Sequence, residues 1–164
     1  MHHACYKNHL EIIKLLVNEQ DADLLAFNRA GWLPLHSTIE GGDLGCFKFV
    51  VQATQRFMAQ IEQTRNTHAI NMPEASNQWT PLMLALEFKS IFIFEYLLEQ
   101  GADVNALDKK RLSVLHYALQ SRDEIFAVNI LQTERCDAAA ARVLDEHGQS
   151  CYDLAVSKGY TQAT

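Results

Sequence analysis

Apolar side chains fall along this chain in short runs spaced three to four residues apart, the period that lines one face of an α-helix. Ile12, Ile13, Leu15 and Leu16 form one run, and Ile93, Phe94, Leu97 and Leu98 form another. A shorter phrase returns five times: Met1-His2-His3-Ala4, Leu33-Pro34-Leu35-His36, Thr80-Pro81-Leu82-Met83-Leu84-Ala85, Ser113-Val114-Leu115-His116-Tyr117-Ala118 and Ser150-Cys151-Tyr152-Asp153-Leu154-Ala155. Thr80-Pro81 joins a hydroxyl that can cap orphan amides to a proline that needs no amide hydrogen, so the phrase predicts a helix start. Ser113 and Ser150 keep the cap without the proline. Leu33-Pro34 keeps the proline without the cap, at an expected cost of about 1 kcal/mol to that helix start. Each repeat therefore reads as a helix pair, and since one pair cannot enclose its apolar stripe, neighbouring pairs must stack.

The phrase's marker residues are Met1, Leu35, Leu82, Leu115 and Tyr152, at intervals of 34, 47, 33 and 37 residues. This period and phrase resemble the T-P-L-H-x-A signature of the ankyrin repeat family. Leu97-Leu98-Glu99-Gln100-Gly101-Ala102-Asp103-Val104-Asn105-Ala106 is similar to that family's second-helix ending and hairpin entry, with weaker copies at Asp21-Ala22-Asp23-Leu24-Leu25-Ala26 and Ile70-Asn71-Met72. Cys136-Asp137-Ala138-Ala139 has drifted further. The resemblance covers nearly the whole chain and implies an all-α ankyrin-repeat solenoid. We expect a single domain, 1–164, of about five repeats with the first and last incomplete. Their expected bounds are 1–27, 28–74, 75–107, 108–144 and 145–164. Gly101, just past the last helical leucines, is placed to end its helix in the left-handed conformation.

The long second interval holds about 14 extra residues relative to the family period. Phe47, Val50, Val51, Phe57, Met58 and Ile61 keep helical spacing into it, so we expect an insertion over about 52–72: a second helix lengthened by several turns, then a loop from Thr64 to Met72. Such an insertion is either functional or tolerated.

Composition narrows the function. A formal charge of −6, from 14 basic and 20 acidic side chains, disfavours a phosphate backbone or an anionic membrane as the main partner. No apolar run approaches the roughly 18 residues of a membrane span and no signal segment opens the chain, so no membrane insertion and a cytoplasmic location are expected. Phosphate-loop, dinucleotide, zinc-hydrolase and serine-hydrolase motifs are all lacking. Cys5, Cys46, Cys136 and Cys151 are widely spaced and read as free core thiols. His2 and His3 beside Cys5 have zinc-compatible chemistry. However, His2, His36 and His116 share one repeat position, for which the resemblance implies a structural hydrogen bond, so neither metal nor cofactor is expected. An enzyme would need a polar cleft at the insertion, around Arg65 and His68.

The family resemblance implies that partners meet the concave surface of hairpin tips and first helices. The residue just before each phrase is Trp32, Trp79, Leu112 and Gln149 in successive repeats, and exposed first-helix pairs are expected at Tyr6-Lys7, Glu40-Gly41, Glu87-Phe88 and Gln120-Ser121. Tyr6, Trp32, Trp79 and Phe88 would then share one face across three repeats, and aromatics dominate many binding surfaces. The tryptophans can alternatively pack along a neighbouring hairpin. Lys109-Lys110-Arg111, extended by Arg29, would make a basic rim that attracts an acidic segment of a protein or peptide, or simply a solvated tip. The expected function is non-enzymatic protein binding; the alternative is a regulatory or substrate-recruiting segment of a larger enzyme or channel.

Overall fold

Thr80 and Pro81 begin a helix for reasons local to the sequence: the Thr80 hydroxyl accepts the Met83 amide, and Pro81 occupies the first turn, where no amide donor is required. Asp43 does the same for another helix by accepting the Cys46 amide at 2.7 Å. The computed structural model describes residues 1–61, 68–121, 123–133, 144 and 148–158. Among these the helices are α1 (His2–Tyr6), α2 (Leu10–Asn18), α3 (Pro34–Gly41), α4 (Leu44–Gln60), α5 (Pro81–Glu87), α6 (Ile91–Glu99), α7 (Val114–Ser121), α8 (Glu124–Gln132) and α9 (Cys151–Lys158).

The helices alternate between two layers. α1, α3, α5, α7 and α9 stack in sequence, as do α2, α4, α6 and α8, so the protein is an all-helical solenoid of helix pairs. Phe47, Phe94, Ile13, Leu35 and Leu82 are fully buried between the layers. Phe94 meets Phe126 edge to face at 4.7 Å, carrying the core from one repeat to the next.

Histidine knits the first-helix layer. At Leu33 no side chain caps α3; instead the Leu33 amide donates to Nδ1 of His36 at 3.1 Å, and Nε2 of His36 contacts the Met72 carbonyl at 2.8 Å. His2 makes the same contact, at 2.8 Å, with the carbonyl of Trp32. His116 accepts the Ser113 amide through Nδ1. Burial lowers the His36 pKa to about 4, so the ring is neutral at pH 7, with Nδ1 accepting and Nε2 donating.

The second helix of the second pair, α4, runs for 17 residues, against nine in α2, α6 and α8. Its extra turns bury Thr54 and Met58, and Gln55 Oε1 accepts the Ala69 amide at 2.8 Å, tying the returning chain to the helix. A loop was expected from Thr64 to Met72. Residues 64–67 lie outside the described residues, and the rest contains a single 3-10 turn, Ala69–Asn71.

Chain reversal past the second helices uses the left-handed region. Gly101 has φ 85°, and Asp21 takes φ 46° at the matching place in the first repeat. In the hairpins, Gly31 and Gly148 are at φ 77° and 72°, whereas Arg111 stands at φ 62°. A non-glycine residue there costs about 1–2 kcal/mol. Arg111→Gly is therefore expected to raise stability by roughly 0.5–1 kcal/mol after glycine's larger unfolded-state entropy is deducted. The urea midpoint measures it.

Candidate protein-interaction surface

Three hairpins repeat one device. An acceptor side chain binds the amides that follow it, closing the loop before the next helix. Asn28 Oδ1 accepts from Ala30 and Trp32, Glu74 accepts from Ser76, Asn77 and Trp79, and Asp108 Oδ1 accepts from Lys110 and Leu112. Neighbouring hairpins join through their backbones: Ala75 N–H donates to Gly31 O at 2.9 Å and Lys109 N–H to Asn77 O at 3.0 Å. Trp32, Trp79 and Leu112, each just before a phrase, thus sit on a hydrogen-bonded ledge that runs along the stack.

Two aromatic pairs stand on this ledge. Trp32 meets Phe88 edge to face at 5.7 Å, and Trp79 meets Tyr117 at 5.0 Å. All four rings are half-buried. Each pair bridges consecutive repeats, so these rings pack and remain partly open to solvent together. Trp79 Nε1 donates to Asp108 Oδ2 and to the Tyr117 hydroxyl, both at 3.1 Å, and the Tyr117 hydroxyl donates to the same Asp108 oxygen at 2.6 Å. Burial first, then the bond to Asp108 and the charges of Asp108 and Glu87, hold the Tyr117 hydroxyl well above its usual range.

The expected site residues divide accordingly. Trp32 and Phe88 come together, while Trp79 pairs with Tyr117. Tyr6 is 41% exposed, with the Lys7 ammonium 4.7 Å from its ring. Leu112 was expected among the contacts; it is 6% exposed and enclosed in the stack, because a small apolar side chain at this place has no polar edge to keep near water. The basic rim is also altered. Arg29, Lys110 and Arg111 are exposed, but the Lys109 ammonium turns back onto the carbonyls of Ala75 and Ser76 in the preceding hairpin. Gly41, expected to be open, is closed by Asn8 Nδ2, which donates to its carbonyl at 2.7 Å.

Asp108 and Tyr117 were not singled out by the sequence reading. The spacing Asn28 to Trp32 recurs as Asp108 to Leu112, which is a readable signal for the acceptor. Tyr117 falls where other repeats have Ser37 and Leu84, so its hydroxyl stands out only once Asp108 lies beneath it.

The remaining candidates for chemistry fall elsewhere. His68 is exposed beside the 3-10 turn, and Arg65 lies outside the described residues. Cys5, Cys46 and Cys151 are buried free thiols, while Cys136 lies outside the described residues. Burial raises the Cys5 pKa to about 12, and burial with the nearby Asp43 raises Cys46 to about 11. Both should react with a thiol-modifying disulfide reagent at pH 8 only on the timescale of unfolding, to be checked by comparing labelling with and without urea. Among the described residues no group of three or more His, Cys, Asp or Glu side chains is arranged to hold a metal ion, and no helix is long and apolar enough to cross a membrane.

Stacked helix pairs with a hydrogen-bonded row of hairpins define a repeat-built helical solenoid. The chain belongs to the ankyrin repeat family: a model of three ankyrin repeat copies matches residues 50–142, and one of many copies matches residues 1–51. It is similar to Rabankyrin-5 of Mus musculus, 27% identical over 158 residues covering 90% of this chain and 12% of that protein. Tyrosine-protein kinase HTK16 of Hydra vulgaris is 26% identical over 130 residues, covering 79% of this chain and 15% of the kinase. Ankyrin repeat protein nuc-2 of Neurospora crassa is 24% identical over 136 residues, with coverages of 71% and 13%. The chain thus spans only about an eighth of the length of these relatives. Ankyrin repeats generally mediate protein–protein interaction.

Proposed function

We propose that this chain is a single ankyrin domain, 1–164, that captures a protein or peptide without catalysis. Its repeat bounds are 1–27, 28–74, 75–107, 108–144 and 145–164, with the insertion over about 52–72. Tyr6, Trp32, Trp79 and Phe88 supply the contact area, joined by Tyr117. Arg29, Lys110 and Arg111 form a rim that steers an acidic stretch of the partner. The observation that carries this reading is the pair of bridged aromatic contacts, Trp32–Phe88 and Trp79–Tyr117, half-open along one ledge. Rings held before binding lose little freedom on contact, which favours affinity. The setting is intracellular, and nucleic acid is not the partner.

A second reading makes this segment the recruiting or regulatory part of a larger enzyme. The small fraction of each relative that it spans favours this, as does the kinase among them. Both readings are tested by affinity capture from a cytosolic extract, comparing wild type with a Trp32→Ala/Trp79→Ala variant shown by circular dichroism to be folded. Capture by the wild type and loss in the folded variant is the expected result. Equal retention would refute the aromatic ledge as the site and direct attention to the lengthened α4.

A further inference from the structure

The two aromatic pairs differ in what lies behind them. Asp108 is 6% exposed, and its carboxylate receives two amides, the Trp79 indole and the Tyr117 hydroxyl. Those dipoles hold the charge without cancelling it. Among the described residues the ion pair present is Lys14 with Glu11, so no cation within 4.0 Å of Asp108 balances it there. Both rings donate to one anionic oxygen, which enriches their π-faces, and exposed Glu87 adds a second negative charge near Tyr117. Behind Trp32 stands the neutral Asn28, and Phe88 has no polar atom to donate.

Resting on the binding role above, we infer that the Trp79–Tyr117 pair is a socket for a cationic side chain of the partner, arginine or lysine, and the Trp32–Phe88 pair takes an apolar one. Adjacent repeats stand about 8–10 Å apart, the distance between packed helices. A partner in the polyproline II conformation has three residues per turn and rises about 3.1 Å per residue, so side chains three positions apart point to the same side about 9 Å from one another and can reach both pairs. An acidic side chain is repelled from the socket by Asp108 and Glu87, leaving acidic residues of the partner to the outer rim.

The probe is a blocked peptide, acetyl-Gly-Leu-Gly-Gly-Arg-Gly-amide, beside versions with citrulline or glutamate in place of the arginine. The chain has two tryptophans, so in Trp32→Phe the fluorescence reports Trp79 alone. Saturable binding is expected for the arginine peptide, with citrulline about 2- to 30-fold weaker, the range of an aromatic–cation contact. Asp108→Asn should shrink the arginine-to-citrulline ratio, since the rings keep their own quadrupole but lose the charge behind them. Asparagine already accepts the hairpin amides at position 28, and circular dichroism verifies the fold of the variant. Because its amide nitrogen cannot accept from the Trp79 indole, Glu87→Gln, which leaves the Asp108 bonds in place, is the second variant and should lower the preference in the same direction. Equal binding of arginine and citrulline, a glutamate preference, an unaltered preference in Asp108→Asn, or no saturable binding would each overturn the inference. If the extract capture still depends on Trp32 and Trp79, the binding role survives and only the cation socket fails.

Discussion

Gly41→Ala is expected to destabilise the protein by about 3 kcal/mol, near the upper end for overpacking a close-packed contact. A Cβ at position 41 would stand 2.5 Å from Asn8 Oδ1, 2.8 Å from the Tyr6 carbonyl and 3.0 Å from the Cys5 carbonyl. Asn8 could swing away, but it would give up its bond to the Gly41 carbonyl. The other two atoms are backbone at the end of α1, and the Cys5 carbonyl already accepts the Asn8 amide. On the other side, α3 is held because Gly42 N–H closes onto Thr38 and Ile39. Relief therefore requires α1 and α3 to separate, loosening the first repeat from the stack. The neighbouring Gly42→Ala is the control. A Cβ there meets only Ser90 Oγ at 3.8 Å, and the cost is backbone strain at φ 80°, about 1 kcal/mol. Urea denaturation of both variants measures the difference; a Gly41→Ala midpoint no lower than that of Gly42→Ala would show that the contact between these helices gives way readily.

What the sequence makes legible follows from the range of the interactions. The helix pairs, their stacking and the long α4 are written in apolar spacings of three and four residues and in caps two or three residues away, such as Thr80 with Met83. The surface depends on partners far along the chain. Trp79 finds Asp108 29 residues on and Tyr117 38 residues on, and Lys109 turns to carbonyls 33 and 34 residues back. Three adjacent cations are visible in the sequence; that one of them caps the preceding hairpin is not. Leu112 occupies the same repeat position as Trp32 and Trp79, yet only the larger, amphipathic indoles reach the edge of the stack. Gly41 shows the same limit in reverse. Its repeat position suggested openness, and Asn8, 33 residues earlier, closes it.

Acid should weaken this protein through His36. Its ring is fully buried, and both nitrogens are committed: Nδ1 accepts the Leu33 amide and Nε2 donates to the Met72 carbonyl. Protonation would place a second N–H against the Leu33 amide and a charge in the stack. The folded pKa is lowered to about 4, chiefly by burial; the Met72 contact and the Glu74 charge oppose the shift, and His2 adds to it. The ordinary value is about 6.5, so between pH 6.5 and 4 the unfolded chain binds more protons than the folded one. The stability contributed is present above pH 6.5 and is lost as the pH falls towards 4, amounting to about 2–3 kcal/mol at pH 4.5. His36→Gln lacks a titrating group at this place. Its own stability will be lower at pH 7, since a flexible amide matches the two ring contacts poorly, but its slope against pH should be flatter. Urea midpoints of both proteins at pH 7, 5.5 and 4.5 decide the matter: the gap between them should shrink by about 2–3 kcal/mol on acidification, and parallel curves would mean that His36 is protonated in place without cost to the fold.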